Sequence, residues 1–244
     1  MTLAGKRVLI TGGGSGLGAD LARGFAATGA EVVIAGRRAD ALARVATDGI
    51  RAVQADVTDE ASVKAMFAAA GPCDIVIANA GAADSGSMAR TTLTQWNAMI
   101  AVNLTGVFLT LRDGLNQMPG WGRLIAVSST AGLKGYAKIA PYAAAKHGVV
   151  GLTRSLALEI ARKDITVNAL CPGFLDTEMT DHSVAIIMQK TDRTEAQARA
   201  VLAAMSPQNR LIQPSEVTAA ALWLCSPGSG AINGQAIAIN GGEA

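Results

Sequence analysis

Short apolar runs rich in β-branched residues recur along this chain, and between them lie longer segments of Ala, Leu and Arg with helical spacing. No other feature constrains the fold as much, because parallel strands need a crossover connection and a helix supplies it. The runs fall at residues 7–11, 31–35, 51–54, 75–78, 122–128, 166–170 and 235–239. Most are continuously apolar, as strands covered on both faces should be. The spacing predicts helices over 16–28, 38–46, 60–70, 94–117, 141–162 and 215–225. The expectation is α/β, a parallel sheet with helices on both faces. No Pro-, Gly- or Ser-rich linker divides the 244 residues and no repeat of fixed period recurs, so one unit over 1–244 is the economical organisation. Residues 176–213 break the alternation with a polar stretch that holds Met179, Met188 and Met205. Lying between a strand and the last helix, that stretch should overlook the carboxyl ends of the strands, as a mobile substrate cover or as a plain surface excursion.

Composition narrows the function classes. Half of the chain is hydrophobic and 16% is charged, which suits a large core and not a disordered chain. With 21 basic and 19 acidic residues the formal charge is +2, so neither nucleic acid nor a membrane surface is expected as a partner. Cys73, Cys171 and Cys225 are widely spaced among apolar residues, with no Cys-x-x-Cys pair and no His cluster beside them. They read as core thiols in a reducing compartment, and no metal is expected. The glycine loop begins too early for a signal peptide to precede it, and no unbroken apolar run approaches the roughly 20 residues that span a bilayer. The expected location is the cytoplasm.

Val8-Leu9-Ile10-Thr11 runs straight into Gly12-Gly13-Gly14-Ser15-Gly16-Leu17-Gly18, and a helical pattern with Leu21 and Phe25 on one face follows. Strand, glycine turn and helix stand in the order that brings a pyrophosphate against free N–H groups at a helix N-terminus. Without Gly-Lys-Ser/Thr the turn is not a triphosphate loop. A purely structural turn is the other reading of the glycines alone. At the end of the second strand an acid would bind the ribose hydroxyls of NAD, and a base would bind the 2′-phosphate of NADP. The chain has Gly36-Arg37-Arg38 there, so NADP(H) is the preferred cofactor and NAD(H) the alternative, unless the arginines are ordinary solvated charges. Asp56-Val57 is placed to hold the adenine edge, and Asn79-Ala80-Gly81 to pass beneath a ribose. Tyr142 and Lys146 lie four apart, on one helical face, with alanines between them. An ammonium beside a phenol favours the phenolate and makes tyrosine a usable acid or base, although Tyr-x-x-x-Lys also arises by chance on helices.

These motifs occur in order along essentially the whole chain. They are Thr11-Gly12 to Gly18, Asn79-Ala80-Gly81, Asn103 within Val102-Asn103-Leu104-Thr105-Gly106, Ser129, Tyr142 with Lys146, Pro172-Gly173 with Thr177, Asn233-Gly234-Gln235 and Asn240-Gly241-Gly242. Together they resemble the short-chain dehydrogenase/reductase family. The resemblance implies a Rossmann-type, doubly wound parallel sheet of seven strands, and a catalytic group of Asn103, Ser129, Tyr142 and Lys146. In it Tyr142 would be general acid or base and Ser129 would hold the substrate oxygen. Lys146 would hold the nicotinamide ribose and bias the tyrosine, and Asn103 would fix a water linking Lys146 to solvent. Pro172-Gly173 would shape the nicotinamide pocket and Thr177 would meet the carboxamide. Asp164 departs from the glycine of many relatives, and a left-handed Asp is expected there.

The implied activity is hydride transfer between a nicotinamide cofactor and a ketone or secondary alcohol. The best substrate is a 3-oxoacyl thioester, with Lys134 and Lys138 placed to meet coenzyme A or carrier phosphates, unless they are solvated loop lysines. Alternatives are a cyclic or small ketone, or a sugar alcohol. A sugar-nucleotide epimerase would want a larger C-terminal domain, and a non-catalytic dinucleotide sensor would carry a damaged Ser-Tyr-Lys set. Relatives of this kind associate through the helices 94–117 and 141–162, and Gly148, Val149, Gly151, Leu152 and Leu156 suggest packing on a partner, so a homotetramer is expected.

Overall fold

In the computed structural model, which describes residues 2–118 and 120–244, seven parallel strands form one sheet in the order β3-β2-β1-β4-β5-β6-β7. The strands are β1 (Arg7–Thr11), β2 (Glu31–Gly36), β3 (Ile50–Gln54), β4 (Ile75–Ala78), β5 (Gly122–Val127), β6 (Ile165–Pro172) and β7 (Ala236–Ile239). Every expected strand is present, with ends that move by one or two residues. The order reverses between β1 and β4, so the connections leaving these two strands diverge and open a crevice at their carboxyl ends.

Alternation along each strand divides the core in two. Val8, Ile10, Ile34, Ile77 and Ile125 face one side, under Leu21 and Phe25 of α1 (Gly16–Ala26) and Val217 and Leu224 of α9 (Pro214–Leu224). Leu9, Val33, Val76 and Leu124 face the other, under Phe67 of α3 (Glu60–Ala70), Leu111 of α5 (Gly106–Gln117) and Val149 of α6 (Ala140–Glu159). Both faces of the central strands are dry, which is why their sequences show no polar alternation. The short α2 (Ala39–Val45) covers the β2 end of the sheet.

The helix expected over 94–117 is divided. It comprises α4 (Leu93–Ile100), a π-helical turn over Ala101–Thr105, and α5. Polar residues interrupt its apolar run, yet the 25-residue stretch Leu93–Gln117 is long and apolar enough, by length and composition, to cross a membrane. That corrects the expectation that nothing here reaches such a length. Half of its most apolar window is buried in this fold, as in a core helix.

Residues 176–213 are largely helical. They form α7 (Glu178–Lys190) and α8 (Glu195–Ala203), held by a small cluster of Val184, Ala198 and Leu202 packed with Phe174, Ile187 and Leu211. Thr194 and Gln197 exchange capping bonds at the start of α8. Arg199 reaches Asp176 at 2.9 Å and also pairs with Asp181, tying α8 back to the start of the segment. Met179 and Met188 remain exposed.

Of the residues expected to pack on a partner, Gly148, Val149, Leu152 and Leu156 also make contacts within the chain, and Gly151 is exposed. A Cβ on Gly148 would meet Leu104 at 2.8 Å, Val149 is fully buried, and both leucines pack on the core. The exposed apolar groups on these helices are Phe108 and Leu158. Asp164 is not left-handed; among the described residues only Lys138 and Asn209 are non-glycines with positive φ.

Candidate active site

The glycine turn is held by the close approach of two strand ends. Gly12 and Gly16 have φ of +69° and +50°, values that side chains resist. A Cβ on Gly18 would stand 2.1 Å from the Gly12 carbonyl oxygen, so α1 can begin this close to β1 only with glycine there. Asn79 braces the turn from β4, donating its amide to the carbonyls of Thr11 (2.9 Å) and Gly12 (3.3 Å). This residue, expected only as part of a turn beneath a ribose, is thus a strut for the phosphate loop. Neither a capping side chain nor an acid occupies the first turn of α1, so its leading N–H groups are left for an anion. Thr177, the N-cap of α7, faces Gly16 across the crevice, 3.4 Å from where a Cβ would lie.

At the end of β2, Arg37 and Arg38 are both exposed. Arg38 donates to the Ser15 hydroxyl at 3.1 Å, so it lies against the glycine turn. The charge of Arg37 reaches Asp56, whose carboxyl is held below its usual range first by the Thr58 N–H. Val57 is buried beneath Gly106, where a Cβ would approach it to 2.7 Å. Two cations therefore flank the place where a 2′-substituent would sit. The cradle of Gly12, Gly14, Ser15, Gly16 and Leu17 fits a dinucleotide pyrophosphate, with the two arginines beside it.

Pro141 in the first turn of α6 starts the helix just before Tyr142. From there Tyr142 and Lys146 point along one face toward the ends of β5 and β6. Several bonds lock this corner. Ser128 donates its hydroxyl to the Lys146 carbonyl (3.0 Å), Thr130 donates to the Pro172 carbonyl (3.0 Å), and the Lys146 ammonium donates to the Val127 carbonyl (2.9 Å). Ser129 caps the turn that follows β5, accepting from the Ala131 N–H at 3.1 Å.

Lys146 Nζ is 5.6 Å from the centre of the Tyr142 ring and is buried, and burial lowers its pKa to about 8. Burial likewise pushes the Tyr142 phenol up, and the adjacent Ser129 hydroxyl pulls it down. The opposing influence on the phenol comes from the serine, where the spacing points to the lysine. The Asn103 amide is fully buried at the π turn. It donates to the carbonyls of Ala82 (2.9 Å) and Met99 (3.1 Å) and accepts from the Ala82 N–H. The side chain is thus committed to bracing the loop after Gly81. A Cβ on Gly81 would lie 2.8 Å from Asn103 Oδ1 and 3.7 Å from Lys146 Nζ, so Ala80-Gly81 threads between these two groups.

Lys134 is not a free cation. It donates to the Glu243 carbonyl at 3.0 Å and pairs with the Glu243 carboxylate at 3.2 Å, while Tyr136 donates its hydroxyl to the same carboxylate. Lys138 is exposed and left-handed, and its carbonyl accepts from Gly86 N–H. Neither Tyr136 nor Glu243 stands out in the sequence, where only an acid following Gly241-Gly242 offered a signal.

Residues 6–186 match the family model described as short chain dehydrogenase. A cis-4-hydroxycyclohexanecarboxylate dehydrogenase of Sinomonas cyclohexanicum is 39% identical, over 98% of this chain and 96% of that protein. A 3-oxoacyl-acyl-carrier-protein reductase of Aquifex aeolicus is 34% identical over 98% of both. Among solved structures, an actinorhodin polyketide ketoreductase variant with NADPH superposes with a TM-score of 0.90 at 34% identity, over 98% of this chain and 97% of that one.

Proposed function

Since the chain belongs to the short-chain dehydrogenase/reductase family and is an oxidoreductase that interconverts a ketone and a secondary alcohol, we propose that it is an NADPH-dependent reductase of a 3-oxoacyl thioester. The observation that carries the reading is the Ser129, Tyr142 and Lys146 corner, locked to the ends of β5 and β6 beside the glycine crevice. When bound, the cofactor supplies the hydride. The chain supplies the rest. Ser129 holds the carbonyl oxygen and Tyr142 delivers a proton to it. Lys146 holds the nicotinamide ribose, and its ammonium stabilises the phenolate that the transfer leaves behind. Asn103 fixes the loop and the π turn that flank Lys146, on the route by which its proton is replaced. Pro172, Gly173 and Thr177 frame the nicotinamide, and α7 and α8 cover the substrate.

Preference for NADP(H) is supported by Arg37, by Arg38 drawn to Ser15, and by the absence of an acid at the end of β2. The related 3-oxoacyl reductase and the NADPH-bound ketoreductase support the thioester and the cofactor. A cyclic ketone is the second reading, favoured by the hydroxycyclohexanecarboxylate dehydrogenase. A homotetramer formed through α4–α5 and α6 belongs to the same proposal, supported by exposed Phe108 and Leu158. So does a cytoplasmic location, supported by three buried free thiols.

Steady-state kcat/KM for a 3-oxobutanoyl thioester and for a substituted cyclohexanone, each with NADPH and NADH, tests the reading. The thioester with NADPH should lead. Tyr142→Phe should lower kcat by ~10²–10⁴-fold. A Phe variant with near-normal kcat would remove the tyrosine from its role.

A further inference from the structure

Beyond β7 the chain turns back on itself and sets a carboxylate against the Pro172-Gly173 turn at the end of β6. Asn240 is buried, and its Oδ1 accepts the N–H groups of Gly242 and Glu243, each at 3.1 Å. Gly241 and Gly242 make this return possible with φ of +65° and +88°. A Cβ on Gly241 would strike the Ser206 hydroxyl at 2.3 Å, so the return is packed beneath the segment that follows α8. Its product is a Glu243 side chain only 4% exposed.

Glu243 Oε1 is shared by the Tyr136 hydroxyl and the Lys134 ammonium. The other oxygen, Oε2, faces Gly173, 3.5 Å from where a Cβ would lie, at the turn proposed to frame the nicotinamide. Tyr136 carries the cluster to the catalytic group. Its phenol is pushed upward by burial first and then by Glu243, with Thr130 opposing and Tyr142 adding a smaller push in the same direction. Lys134 is 39% exposed, and its ammonium lies 5.1 Å from the centre of the Tyr136 ring. A lysine there would ordinarily attract a carboxylate or phosphate. In this chain that place on the lysine is already taken.

We propose that Glu243 sets the charge of the substrate this pocket accepts, by holding Lys134 in an internal ion pair and so selecting ketones that are neutral next to the reacting carbonyl. This rests on the reductase reading and deepens it: a 3-oxoacyl thioester or ester is neutral at that point, and a free 3-oxo acid is not. Lys134 then serves the pocket as the partner of Glu243 rather than as a phosphate hook. An ion pair presents almost no net charge to an incoming group, whereas either member alone presents a full one in a partly desolvated mouth.

The test compares 3-oxobutanoate with ethyl 3-oxobutanoate, which share a carbon skeleton and differ in charge. For Glu243→Gln the ratio of kcat/KM, acid over ester, should rise about tenfold, the value of one charge-assisted hydrogen bond. For Lys134→Met it should fall, because Glu243 is left uncompensated. The double variant should lose the gain of the single one. Opposite directions from two substitutions in one contact exclude a shared folding defect. Calorimetric binding of 3-oxobutanoate to the protein incubated with NADP⁺ reads the same selectivity without turnover, and Glu243→Gln should tighten it by a similar factor. Tighter binding with no reduction of either ketone would uphold the charge selection and overturn the reductase reading. An unchanged ratio together with unchanged binding would overturn the proposal itself.

Discussion

Replacing Lys146 with Met should make the protein more stable at neutral pH while destroying its activity. The ammonium is buried, and its depression from 10.5 to about 8 has desolvation as its largest cause. A shift of about 2.5 units at 1.36 kcal/mol each means that holding the proton in the fold costs about 3 kcal/mol. Met fills a similar volume and removes that cost. It also leaves the Val127 carbonyl without the 2.9 Å bond from Nζ, a loss of ~1 kcal/mol. The net gain is about 2 kcal/mol, or roughly 4–8 °C in Tm for a chain of this size.

The pH dependence fixes the sign. Between pH 8 and 10.5 the unfolded lysine keeps a proton that the folded one has lost, so wild-type stability climbs relative to the variant across that window. The advantage of Met should therefore be full well below pH 8, vanish at about pH 9.5 and reverse by about 1 kcal/mol at pH 10.5, where the wild type still has its bond to the Val127 carbonyl. Urea unfolding of both cofactor-free proteins at pH 7, 9 and 10.5 measures it. A Met variant less stable than wild type at pH 7, or a gap that ignores pH, would refute the account of Lys146 as a charge held in the fold against its solvation.

Three further outcomes follow from the geometry. Gly18→Ala puts a Cβ 2.1 Å from the Gly12 carbonyl oxygen, so α1 must shift and the dinucleotide affinity should fall by at least ~10-fold, read by fluorescence titration with NADPH. Arg37→Ala should lower the preference for NADPH over NADH in kcat/KM by roughly 10–100-fold, and an unchanged ratio would leave Arg38 as the phosphate reader. Light scattering should give about four times the 24.8 kDa chain mass, and Phe108→Glu with Leu158→Glu should reduce it; a monomer in the wild type would contradict assembly through α4–α5 and α6.

The fold was legible wherever the signal is local in the chain. Strands β1 and β4 begin and end where their apolar runs do, and Pro141 marks the start of α6. The misses have physical causes. The π turn over Ala101–Thr105 leaves the 3.6-residue pattern almost intact, because one wider turn rotates the apolar stripe without erasing it. Helices α7 and α8 were hidden by their polar exposed faces, since few of their side chains, Val184, Ile187, Ala198 and Leu202, reach their small core. The Thr194 and Gln197 capping pair that starts α8 is a local signal set within this polar stretch.

The site divides along a different line. Residues that act through backbone shape or one helical face, such as Gly12 to Gly18 and Tyr142 with Lys146, announce themselves, because spacing alone brings them together. Residues that act through contacts distant in sequence do not. Asn79 reaches Gly12 across 67 positions, and Lys134 meets Glu243 across 109. Spacing marks Lys134 as a loop cation between Ser129 and Tyr142, and the structure shows it paired with Glu243. Its chemistry was misjudged because a side chain's partner decides what its charge can do, and the partner arrives only when β7 lies beside β6 and Asn240 turns the chain back. Among these residues, therefore, the ones that define the reaction are readable from the chain, and those that select its substrate become readable only once the sheet is closed.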